Sequence, residues 1–86
     1  MQFEGAVVNE QGQTFGIVIV KASVLSNPTK RAEIRRFGVR AWGRMPIVLA
    51  AQDSRGVFTY QGRRDIVNFL AGIDSSRIPW KKWTIS

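Results

Sequence analysis

The stretch "PTKRAEIRRFGVRAWGR", residues 28 to 44, holds six basic side chains and one acid within seventeen residues, with Trp42 among them. Cations at this density are suited to one kind of chemistry, the neutralisation of phosphates with release of their counterions. If the stretch is helical, Arg36, Arg40 and Arg44 form a row at four-residue spacing that advances about 6 Å per step. That is close to the separation of successive phosphates on a nucleic-acid strand. Arg31 and Arg35 fall elsewhere on the wheel, near Trp42, and Glu33 stands three residues from both Lys30 and Arg36, within reach of either. The competing reading is a solvated helix face, which is where charge runs ordinarily go.

The tail "PWKKWTIS" poses the same choice. An extended chain places Trp80, Lys82 and Thr84 on one side and Lys81, Trp83 and Ile85 on the other. Only one of these tryptophans can therefore face the core. The other is either a stacking platform beside ammonium groups, worth about 1–3 kcal/mol per base, or a cover for the edge of a sheet. An edge strand carrying an exposed tryptophan also invites self-association.

Other chemistries are limited by what the chain lacks. There is no cysteine and no histidine in the 86 residues. Disulfides, thiol redox work, iron–sulfur clusters, histidine triads and the usual zinc sites are therefore unavailable. The acids are Glu4, Glu10, Glu33, Asp53, Asp65 and Asp74. Four of them fall at turns or helix ends, where structural roles are routine, and no two have the spacing of an oxygen cage for a hard metal. Neither "GQTFG" nor "SRG" has the pattern of a phosphate loop. Thirteen Lys and Arg against six Asp and Glu give a net charge of +7, which attracts polyanions through a long-range, salt-sensitive field. No apolar run approaches the eighteen or so residues that a membrane span needs, so the expectation is a cytoplasmic domain with no membrane association.

These residues need elements to position them. Residues 3 to 8 and 14 to 21 read as a hairpin around Gly12. "FGIVIV", residues 15 to 20, has the continuous β-branched character of a central strand. Asn27 followed by Pro28 marks a helix start, with the end at Gly38 or at Gly43. "PIVLAAQ", residues 46 to 52, "DSRG" and "VFTY" form a second hairpin. In "RRDIVNFLAGI", Ile66, Phe69, Leu70 and Ile73 recur at helical spacing, with Asp65 near the start. The tail makes a short strand, confined to an edge by Pro79.

The stretch "MPIVLAAQDSRGVFTYQGRRDIVNFL" resembles the proline, hairpin and helix that close the second half of thioredoxin-like folds, with Met45-Pro46 where that family keeps its cis proline. The family's Cys-x-x-Cys is absent and the preceding element count differs, so the resemblance implies nothing about activity.

The expectation is thus one α+β domain over residues 1–86, in two layers. A mixed sheet of four to five strands carries two helices, in the order ββαββα plus a short C-terminal strand. The two apolar strands should be parallel neighbours joined by a right-handed crossover. The functional expectation is a small non-catalytic binding module that contacts nucleic acid through phosphates, without strong sequence readout. Its candidate contacts are Arg31, Arg35, Arg36, Arg40, Arg44, Trp80, Lys81 and Lys82, with no metal and no cofactor. A protein-interaction or homo-oligomeric domain, meeting an acidic partner or a second copy, is the alternative. A carboxylate-dependent enzyme is third.

Overall fold

β-Branched runs extend and helical periodicity coils, and the elements follow that division. In the computed structural model, which describes residues 2–10 and 12–85, they are β1 (Gln2–Glu10), β2 (Gln13–Ile19), α1 (Ala22–Leu25), α2 (Pro28–Trp42), β3 (Ile47–Gln52), β4 (Phe58–Gln61), α3 (Arg64–Ala71) and β5 (Lys81–Thr84). A single 3-10 turn at Ser75–Arg77 precedes β5. Gln11, in the expected first turn, lies outside the described residues. The sheet is open, with strand order β4-β3-β2-β1-β5. β2 and β3 run parallel in the register Gly16 to Ile47, and the other neighbours are antiparallel. The α+β class, the mixed five-stranded sheet and the parallel pairing of the two apolar strands are as expected.

The layering is fuller than the two layers expected. Phe15 and Ile17 of β2 join Ala6, Val8, Val48 and Ala50 on one face, beneath Ile66 and Leu70 of α3 and Ile78. Val18, Ile47 and Leu49 look the other way, beneath Ile34 and Trp42 of α2 and Val24 and Leu25 of α1. A strand that is apolar at every position has side chains on both faces, and each face must be covered. Ile17, Val18, Val48 and Leu49 are all fully buried in consequence, each worth about 1.5–3 kcal/mol relative to exposure. Two cores also take both tail tryptophans. Trp80 packs on the α3 side, stacked on Phe58 at 5.1 Å, and Trp83 meets Trp42 edge to face at 5.2 Å on the α2 side. The expectation that only one could be buried assumed a single core.

α2 begins as its sequence dictates. The Asn27 side chain accepts the Lys30 backbone N–H at 3.1 Å, and Pro28 takes the first position. The helix runs through Gly38 and ends at Gly43, whose φ of 87° suits a residue without Cβ. Gly38 serves packing instead: a Cβ there would come within 3.1–3.3 Å of the Ile47 side chain. The likeness to thioredoxin-like folds ends at the order β3, β4, α3, because no cis peptide bond occurs among the described residues and Met45-Pro46 is therefore trans.

Candidate anion-binding surface

The eight candidate residues divide into two populations. Arg36 and Arg40 are exposed on the outer side of α2 and have no partner among the described residues. Arg44 is exposed too, but stands beyond the Gly43 cap, so only two members of the expected row lie on the helix. Arg40 sits in the last turn, where the helix dipole favours a cation. Lys81 lies 4.1 Å from the centroid of the Trp83 ring. Through the Trp83–Trp42 contact it belongs to the same side of the sheet as the end of α2. Lys82 is paired in register with Glu4 on the opposite face.

Arg31 and Arg35 are inside the architecture instead. The Arg31 guanidinium donates to the Leu25 carbonyl at 2.6 Å, tying α2 back to the end of α1. Arg35 donates through Nε to the Ile47 carbonyl at 3.4 Å and through Nη2 to the Gln61 carbonyl at 3.2 Å, with a further bond to the Gln61 side-chain amide oxygen. It thereby caps backbone acceptors at the ends of β3 and β4. Partial burial and the neighbouring Arg31 hold its pKa below the ordinary guanidinium value. The sequence carried a signal for this. Arg31, Arg35, Gly38 and Trp42 stand at i, i+4, i+7 and i+11, the stripe that a helix turns toward its core. Trp80 is likewise committed, its indole N–H donating to the Ser75 carbonyl at 3.0 Å.

Three of the six acids, the aspartates, are occupied by local structure. Asp53 accepts the backbone N–H groups of Arg55 and Val57 at 2.9 Å each. Asp74 accepts that of Ser76 at 2.9 Å. Asp65 forms a bidentate pair with Arg63 at 2.7 and 2.8 Å, which holds its carboxyl at about 2. Glu10 and Asp65 line one small cavity of about 150 Å³. A carboxyl held ionised by a guanidinium is nevertheless a poor proton donor near neutrality. Among the described residues no group of three or more acids is placed to hold a metal ion, Arg63–Asp65 is the one ion pair, and no helix is long and apolar enough to cross a membrane.

Among the described residues no acid forms an ion pair with a cation of α2. Glu33 forms no ion pair with Lys30 or Arg36. What the surface can do chemically is attract anions at Arg36, Arg40, Arg44 and Lys81. Comparison with known family models, with curated proteins and with solved structures finds no match to this chain.

Proposed function

We propose that this chain is a small non-catalytic binding module that contacts nucleic acid through its phosphates, using the outer side of α2. The supporting observation is the exposed pair Arg36 and Arg40, with Arg44 beyond the cap, all without an acidic partner among the described residues. Arg31, Arg35 and Trp80, engaged inside the fold, drop out of the contact set. Lys81 extends it beside the helix end, and Lys82 lies apart. No element offers base-edge readout, so recognition is of charge and backbone shape.

The test is titration of labelled single- and double-stranded oligonucleotides at two salt concentrations. Arg36→Ala with Arg40→Ala should weaken binding to different sequences about equally and flatten the log–log salt slope by about one to two units. Absence of binding by the parent protein at low salt would refute the proposal.

A further inference from the structure

Side chains alternate along β5, so Lys81 and Trp83 share the α2 side of the sheet. The Lys81 ammonium lies 4.1 Å from the centroid of the Trp83 ring. Lys81 is exposed and Trp83 partly so, which makes the ring face beneath the ammonium the one that solvent reaches. Elsewhere the ring is fixed. Its indole N–H donates to the Gly5 carbonyl at 3.1 Å, and Trp42 meets it edge to face at 5.2 Å. Trp83 is thus an aromatic surface held in one orientation before any partner arrives.

Its place beside the arginines follows from the sheet register. Trp83 stands opposite Phe3 of β1, whose ring meets Phe37 of α2 at 5.2 Å. Arg36 adjoins Phe37 in sequence, and Arg40 follows it by about one helical turn. The cations and the indole therefore flank one aromatic cluster of Phe3, Phe37, Trp42 and Trp83. The acid on this side is Glu33, about one turn before Phe37, exposed and outside any ion pair. Glu4 is on the other side with Lys82, Glu10 and Asp65 line the cavity beside α3, and Asp53 and Asp74 hold turns. Arg36, Arg40, Arg44 and Lys81 against Glu33 leave the surroundings of Trp83 positive. Trp80 differs, since it stacks on Phe58 across the sheet and shares a cavity wall with Glu4.

An indole face with an ammonium over it and arginines nearby suits a ligand that is flat, aromatic and joined to phosphate. A nucleobase has that form. It can replace the ammonium on the ring, and the freed ammonium can meet the adjoining phosphate. Every internal base of a duplex has both faces engaged in stacking, so the base must be unpaired. Given the phosphate contacts proposed for α2, on which this rests, we infer that Trp83 is a base-stacking platform and that the nucleic acid it takes is single-stranded. Stacking uses the face of a base rather than its edge, so sequence preference stays weak.

The probes are an oligothymidylate of about nine nucleotides and an abasic strand of the same length, which carries the same phosphates without bases. Titrated into the parent protein at low salt, the thymidylate should bind at least about tenfold more tightly. The Trp83 ring protons should move upfield with the thymidylate and not with the abasic strand, the ring-current signature of stacking. Trp83→Leu, its fold checked by circular dichroism, should bring thymidylate binding down to the abasic level and leave abasic and duplex binding within about twofold. Trp83→Phe should keep most of the difference. Equal affinity of the parent for the two strands would overturn the platform while leaving the phosphate contacts of α2 standing. Binding of neither strand would remove both. Upfield shifts at Trp80 in place of Trp83 would overturn the assignment to this ring.

Discussion

Replacing Gly16 with Ala tests how the α2 side of the sheet is packed. A Cβ at this position would fall 2.3 Å from Cε3 and 2.4 Å from Cζ3 of Trp42, and 3.2 Å from the Ile47 Cδ1. Carbon atoms rest at about 3.5 Å or more, so the indole must retreat by roughly 1.2 Å. It has no free direction in which to go. Phe3 lies edge to face at 5.4 Å and Trp83 at 5.2 Å, and Ile47 is buried beneath. Two aromatic contacts of about 0.5–1.5 kcal/mol each are disturbed, and overpacking adds about 1–3 kcal/mol. The expected loss is about 2–4 kcal/mol, or about 10–25 °C in Tm for a domain of this size. Gly72→Ala is the control. Its φ is −91° and its nearest neighbour would be the Phe69 carbonyl at 3.5 Å. It should be neutral or stabilising by up to about 1 kcal/mol through the unfolded chain. Urea and thermal unfolding followed by circular dichroism read both. Combining Gly16→Ala with Trp42→Leu should cost at least about 1 kcal/mol less than the sum of the singles, because the clash disappears. A Gly16→Ala protein as stable as the parent, or strict additivity in the double variant, would refute the packing described.

Two further predictions concern neighbouring charges. Arg35→Ala should destabilise the fold by about 1.5–3 kcal/mol, because carbonyls of β3 and β4 lose a charged donor, whereas Arg36→Ala, one residue along, should stay within about 0.5 kcal/mol; equal effects in urea unfolding would contradict the division of the arginines. Asp65 should titrate by carbon-13 NMR near 2 rather than its ordinary 3.8, held down first by its bond to Arg63. A depressed carboxylate adds stability that is fully present above the unfolded value and is lost as pH falls through the folded one, so acid unfolding of Asp65→Asn should differ from the parent's above about pH 4 and converge with it toward pH 2.

The sheet and the starts of α2 and α3 were legible because they rest on local chemistry, whereas the short α1 carries no side-chain cap and was not expected. β-Branched runs at 15–20 and 47–51 identify the central pair, Asn27-Pro28 opens α2, and the spacing of Ile66, Phe69, Leu70 and Ile73 sets the buried side of α3. The number of layers was legible in part: unbroken apolar strands required cover on both faces, but which helix went to which face depended on the chain's path through β2, α2 and β3. The fate of individual arginines belongs to tertiary structure. Arg35 and Arg36 are adjacent and chemically identical, yet one reaches carbonyls of Ile47 and Gln61, the latter twenty-six positions away, and the other faces outward. The tail's place at a sheet edge was expected from Pro79, but its pairing with β1, which completes the strand order, was not. Strand order follows from which surfaces meet across the fold, and hydrogen bonds between strands are not encoded in the periodicity of either strand alone.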